Sequence, residues 1–382
     1  MQTQQARVHG LDTLRSLAIV GVIFYHILVF HGPECLPTPL LPLITAGWMG
    51  VDLFFVLSGY LIGSQLLKPY LRAKRPSLLE FYRNRLYRIQ PAFLAVLALY
   101  LLWPDWRESE KMAPAWQFFT WTQNLLIDFQ HGMAFSHAWS LCVEQHFYLL
   151  LPLVVAGMMR KPSLHRTAML LVGLAVAGIC LRAWFVYQVI QPIAAVYGPF
   201  QTTYMTRIYY PTYAHFDGLL AGVTLALIMC FRPEWWKVAA RRGHLLSGIG
   251  AVLILAAWWL SRDRFFSATG VAALGMVLAF PVLSLGMGFL TASALSENGL
   301  LARLPVPGAK LIATLAYALY LTSKQMLHLV DQALPVLEKW GKFPWLVGYL
   351  MSCLMVAGVL YLCVERPFLL LRQRRTRWSA EG

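Results

Sequence analysis

Ten apolar runs follow one another along the chain, at roughly 11–31, 47–67, 87–103, 141–159, 168–190, 213–231, 245–260, 267–290, 311–330 and 344–363. About 20 predominantly apolar residues suffice for a helix to cross the hydrocarbon core; the longest connection is 104–138, and that at 191–212 is aromatic-rich. The pattern predicts an all-α fold: a polytopic membrane helix bundle of about ten transmembrane helices. Residues 1–372 read as one transmembrane domain and 373–382 as a short basic tail. The first run ends in Phe-His-Gly-Pro-Glu without a small-residue cleavage site, so it reads as a retained span and not as a signal peptide.

The polar positions inside these runs carry the chemistry. Arg15 and His26 both interrupt the first run. Eleven residues at about 100° each bring them within about 20° of one helix face, about 16 Å apart along the axis. A cation near one surface and a titratable base near mid-membrane on one stripe suggest a polar site partway through the bilayer, because ionisable groups in lipid face a cavity or a partner. Arg15 alone also suits snorkelling to the surface, and His26 alone suits a satisfied core histidine. Asp12 reads as the N-cap of this helix. Asp52 stands near the start of the second run, where a buried carboxylate wants a cation or a donor. Gly59 and Gly63 read as close-packing positions.

Between the second and third runs, Phe-Tyr-Arg-Asn-Arg-Leu-Tyr-Arg at 81–88 places Arg85 and Arg88 on one helical face with Arg83 just upstream. The plain reading is a charge anchor. The functional reading is a phosphate site, since the planar guanidinium matches phosphate oxygens bidentately. Such a site suits a phosphorylated donor such as a nucleotide or coenzyme A. The densest polar stretch is 136–148, with His137, Trp139, Ser140, Glu144, Gln145, His146 and Tyr148 running into an apolar helix. Glu144 suits the helix dipole at a helix start, and it also suits orienting an imidazole, with His26 as the expected partner. Weaker signals are Arg207, His215 and Asp217 around the sixth run and Lys324 inside the ninth. Glu365-Arg366 closes the last run as a helix-end ion pair.

Composition narrows the class. Of 382 residues, 58% are hydrophobic and only 13% charged, against about 25% charged in soluble domains. Mean hydropathy is +0.57. The formal net charge of +15 suggests nucleic acid only until the basic residues are placed. With the N-terminus cytoplasmic, 22 Lys and Arg fall in inside segments and 7 in outside ones. The positive-inside rule then puts both termini in the cytoplasm and explains the charge without nucleic acid. The six Cys are scattered, without a CxxC pair or a His/Cys cluster, so neither a disulfide framework nor a zinc site is indicated.

The blocks together resemble the acyltransferase-3 family of membrane acyltransferases. The resemblance rests on Arg15-x10-His26, GVDLFFVLSGYLI at 50–62, FYRNRLYRIQPAF at 81–93, HAWSLCVEQHFYLL at 137–150, HFDGLLAG at 215–222, YALYLTSK at 317–324 and VERP at 364–367. One departure stands out: the family often has a His soon after the YxLYL segment, where this chain has Ser323-Lys324. The resemblance implies a bacterial inner-membrane enzyme without the esterase-like domain fused to some members. It implies acyl transfer, usually of acetyl, from cytoplasmic acyl-CoA to a hydroxyl of an extracytoplasmic or lipid-linked glycan, exopolysaccharide and lipopolysaccharide among them.

On this reading His26, Glu144, Arg15 and Asp52 form the catalytic set, and Arg83, Arg85, Arg88 and Ser58 the donor site. His137, Trp139, Arg207, Asp217 and Lys324 line the cavity or face the acceptor. His26 serves as general base or accepts the acyl group transiently, with Glu144 or Asp52 orienting it. Acetyl-CoA is the expected donor, no metal is expected, and the partners are acyl-CoA, a glycan acceptor and the lipid bilayer. The rival reading is a transporter or flippase of a lipid-linked glycan, which also needs intramembrane His, Asp and Arg. The glycan, the hydroxyl and the oligomeric state are not legible in the sequence.

Overall fold

A computed structural model describes residues 9–381 apart from 130–131, 195, 304–305, 334–335, 337–338 and 340. Arg7, one of the inside charges, lies outside the described residues. Every apolar run becomes a helix: α1 His9–Phe30, α2 Met49–Leu67, α3 Leu78–Leu102, α4 Trp139–Arg160 and α5 Leu164–Phe185. They are followed by α6 Asp217–Phe231, α7 Gly243–Ser261, α8 Gly270–Leu295, α9 Ala309–Ala333 and α10 Lys342–Leu360. A π-helical turn at Tyr361–Glu365 leads into α11, Arg366–Glu381. No strand is present among the described residues.

Eight of the described helices are long and apolar enough to cross a membrane unaided, and α6 joins them if it is taken with Pro233–Arg241, at a bend of 108°. α9 is not among them, because Thr322, Ser323, Lys324 and Gln325 interrupt its apolar run, and all four are buried. The surface is inverted relative to a soluble protein. Leu149, Leu150 and Leu153 on α4 and Met351, Met355 and Val359 on α10 are exposed, while Asp52, Arg182, Glu365 and Lys324 are buried. Lipid accepts such a face and water does not. The protein is a multi-pass membrane protein.

Local chemistry explains the ends. Ser77 caps α3 by accepting from the Glu80 N–H at 3.2 Å, a capping arrangement of Ser and Glu three apart. Ser163 does the same for α5. α1 begins no later than His9, so Asp12 lies inside its first turn and is not the N-cap. It is 3% exposed and pairs with Arg15 at 3.5 Å.

α2 is the most enclosed of the eight spans, and glycines let its neighbours reach it. A Cβ on Gly222 of α6 would collide with the Val56 carbonyl and the Tyr60 backbone nitrogen, so the two backbones touch there. The connections gather at two ends. The loop-rich end holds the described residues of 31–48, 103–135, 191–216 and 262–269, tied together by Asn124 donating to Thr212, Gln191 donating to the Ala268 carbonyl and Arg264 standing over the Trp48 ring at 4.3 Å. The arginine-rich end holds 68–77, 161–163, 232–242, 296–299 and α11.

Candidate active site

Four buried polar clusters lie within the bundle, and the residues singled out from the sequence are divided among them. The first surrounds His26, which sits one turn before the end of α1 and so nearer the loop-rich end than the expected middle. Its Nδ1 is buried and has no hydrogen-bond partner among the described residues. Its ring lies 6.4 Å from that of His137 and 6.0 Å from Phe30, centroid to centroid. The Lys324 ammonium of α9 stands 4.5 Å from the Phe30 ring and acts electrostatically on His26, as does His137. His137 donates from Nε2 to the Leu321 carbonyl at 3.4 Å, which leaves Nδ1 unpartnered. Tyr320 fixes the start of α4 by donating to the His137 carbonyl at 2.8 Å and meeting Ser140 at 2.5 Å.

One member of this cluster was not legible beforehand. Glu108 comes from the loop after α3, yet its carboxylate lies 3.1 Å from Lys324 Nζ. It also accepts from the Tyr100 hydroxyl at 2.6 Å and from the Phe135 N–H at 3.1 Å. Burial pushes the Glu108 pKa up, but Lys324, His137 and the Tyr100 hydroxyl outweigh burial and hold the carboxyl below its ordinary value. No periodicity marks a loop residue, so only its acidic character at 103–135 could have drawn notice.

The second cluster contains Asp52. Its Oδ1 lies 2.9 Å from His215 Nε2, and His215 Nδ1 lies 2.6 Å from the Tyr209 carbonyl. Trp139 stacks on the His215 ring at 5.2 Å. Asp52 therefore has His215 as its imidazole, not His26. α2 presents that carboxylate toward the start of α6.

Glu144 heads the third cluster. It accepts from Ser58 at 2.5 Å and from Tyr148 at 3.0 Å, and Arg85 acts on it electrostatically. Its contacts are thus with α2 and its own helix, again not with His26. Arg85 itself donates to Gln65 at 2.7 Å and stands over the Tyr148 ring at 5.8 Å. Toward the arginine-rich end, Arg88 pairs with Glu365 at 2.7 Å. Glu365 is 1% exposed and turned inward by the π-helical turn, so its partner comes from α3 and is not the adjacent Arg366. Arg372 of α11 lies within electrostatic reach of both Arg85 and Arg88. Arg83 makes no side-chain hydrogen bond or ion pair among the described residues, and is half-buried.

The fourth cluster is architectural. Arg182, fully buried, holds Asp217 with two bonds of 2.7 and 3.0 Å and donates to the Ala214 and Val277 carbonyls. Asp217 thereby locks α5, α6 and α8 together and does not line an open cavity. Arg207 is exposed, in a π-helical turn at Met205–Tyr209. Among the described residues no group of His, Cys, Asp or Glu is placed to hold a metal ion.

Comparison with known proteins agrees with the blocks quoted above. A family model described as an acyltransferase domain matches residues 8–364. O-acetyltransferase OatA of Staphylococcus aureus (strain NCTC 8325 / PS 47) is 26% identical over 385 residues, covering 94% of this chain and 56% of that protein. OatA of Staphylococcus aureus (strain COL) matches to the same extent. SACOL0978 of Staphylococcus aureus (strain COL) is 29% identical over 235 residues, 58% of this chain and 35% of its own length. The chain thus spans about half the length of the OatA relatives it matches. No solved structure matches it.

Proposed function

This chain belongs to the acyltransferase-3 family, and from that premise we propose that it is a membrane O-acyltransferase, transferring acetyl from acetyl-CoA to a hydroxyl of an extracytoplasmic or lipid-linked glycan. The observation that carries the reading is His26: an imidazole inside the bundle whose Nδ1 is buried without a hydrogen-bond partner among the described residues, with the His137 ring 6.4 Å away and the Lys324 ammonium within electrostatic reach. Acetyl as the group moved follows from relatives that carry the name O-acetyltransferase.

The proposed orientation puts the arginine-rich end in the cytoplasm and the loop-rich end outside, the inner bacterial membrane being the bilayer crossed. Arg83, Arg85 and Arg88, with Arg372, would then meet the phosphates of acyl-CoA, and the pantetheine arm would run inward past Arg15. Ser58 of α2 and Glu144 of α4 bond to each other, and Arg85 acts electrostatically on Glu144. In the chemical step the glycan hydroxyl loses its proton to His26 as its oxygen attacks the thioester carbonyl. The oxyanion that forms faces the Lys324 ammonium. Collapse expels the CoA thiolate, which takes the proton back from His26 and leaves as the thiol. The alternative course, acyl transfer first to His26 and then to the hydroxyl, uses the same groups.

Preorganised charge and a positioned base suit this reaction. The test is acetyl transfer from labelled acetyl-CoA by purified protein in liposomes with an added glycan acceptor. Native protein labels the acceptor and His26→Ala does not. A folded His26→Ala protein that transfers at the native rate removes His26 from the mechanism.

A further inference from the structure

Among the described residues, Glu108 is the acidic group that joins an extramembrane loop to the His26 cluster. Its side chain is 8% exposed, and both carboxylate oxygens are engaged. Oε1 takes the Lys324 ammonium at 3.1 Å and the Phe135 N–H at 3.1 Å, with His137 Nδ1 at 4.0 Å. Oε2 takes the Tyr100 hydroxyl. Lys324 in turn donates to Ser136 at 2.9 Å. Four parts of the chain therefore meet at one carboxylate: the end of α3, the loop after it, the segment leading into α4, and α9.

The segment leading into α4 is held against its own preference. Phe135 has φ 59°, the left-handed region that a bulky side chain avoids. Its ring stacks on Tyr100 at 4.4 Å and lies near Phe93, Phe118 and His137. The Glu108 bond to its N–H helps fix that conformation, and the turn it makes sets Ser136 and His137 toward Lys324 and His26. A residue kept in such a region persists where the surroundings over-determine it, and such places concentrate at functional sites.

We propose that Glu108 is a positioning residue for the acyl transfer. It holds the Lys324 ammonium and the His137 ring in register with His26, so that a loop outside the membrane sets the geometry of the buried reacting groups. Lys324 is long and flexible. Without its counter-ion it keeps only the Ser136 hydroxyl and the Phe30 ring face among the described residues, neither of which carries a charge, and its ammonium is no longer fixed where the oxyanion forms. The proposal rests on the assignment of His26 and Lys324 to the chemistry above. It differs from a purely structural role for the loop in predicting that Glu108 works through Lys324.

The experiment compares native protein with Glu108→Gln, Lys324→Gln, the double variant, His26→Ala and, as a loop control, the exposed Glu110→Gln, all in liposomes with labelled acetyl-CoA. Glu108→Gln is expected to lower kcat at least about tenfold with KM for acetyl-CoA within about twofold, the signature of a group that acts only in the chemical step. The double variant is expected to be no slower than Lys324→Gln alone, because residues acting as a unit are not additive. Glu110→Gln stays at the native rate. If Glu108→Gln fails to fold, the charge-balanced double variant carries the test by the same comparison with Lys324→Gln. A Glu108→Gln protein with native kcat overturns the proposal, as does a double variant in which the two losses multiply. Should either occur while His26→Ala is inactive, only the role of Glu108 falls; native transfer by His26→Ala removes the underlying reading as well.

Discussion

At the scale of single residues, the partner of a buried charge decides what a substitution does. The bidentate Arg182–Asp217 pair is fully enclosed. Removing one member leaves an unpaired charge, so Asp217→Ala is expected to cost about 3–5 kcal/mol of stability. Thermal unfolding in detergent checks this, and a melting temperature unchanged within error contradicts it. Glu108 gives a pH prediction. Its carboxyl is held below its ordinary value, so the stability it lends is present in full above the ordinary glutamate range of about pH 4.3. That stability is lost as pH falls through the depressed value of the folded state. In acid titrations followed by unfolding midpoint, Glu108→Gln should therefore flatten the loss below that range.

Sequence periodicity located His26, Asp52, Glu144 and Lys324 because each interrupts an apolar run, and an interruption in lipid is conspicuous. It did not reveal which of them meet. Helical spacing fixes the face a side chain occupies but not the helix opposite that face. Asp52 was thus paired with His26 in expectation and with His215 in the structure, and Glu144 turned to Ser58 and Tyr148. Glu365 was read with its neighbour Arg366 and pairs with Arg88, 277 residues away. Glu108 escaped altogether, since a loop has no period to interrupt.

Among the helices, α2, which carries Asp52 and Ser58, is also closely packed. α2 is crossed by α6 at backbone contact distance, with no room for a Cβ on Gly222. Gly222→Ala must push the two helices apart, and overpacking of this kind costs typically about 1–3 kcal/mol. The same displacement would move Asp52 relative to His215. A lowered unfolding midpoint with reduced transfer is expected, whereas Gly157→Ala, whose Cβ meets nothing within 4 Å, should change neither. All ten helices were legible as apolar runs, and for eight of them length and hydropathy alone specify a span. α9 kept its place in that pattern while falling short as an isolated span, because Thr322 to Gln325 are buried polar residues, of which Lys324 reaches Ser136 and Glu108.

For the molecule as a whole, the two ends differ in chemistry. One end collects arginines, with Arg85, Arg88 and Arg372 near one another. The other collects aromatic-rich loops around Trp139, Tyr209 and Tyr210. A donor that stays on one side and an acceptor on the other would use that asymmetry, with Arg15 and His26 marking the passage along α1. Sidedness tests the orientation directly: single cysteines placed at Glu110 and at Ser163 should react with an impermeant thiol reagent from opposite faces of an oriented vesicle, Glu110 from outside.

The central claim is that the acyl group crosses the bilayer through the site around His26. The measurement that tests it most directly uses liposomes holding the protein in one orientation, with the glycan acceptor enclosed and labelled acetyl-CoA supplied only on the side of Arg85 and Arg88. The account predicts label on the enclosed acceptor with native protein, none with His26→Ala, and no acetyl-CoA in the lumen. Label that appears only when donor and acceptor share a side would contradict it.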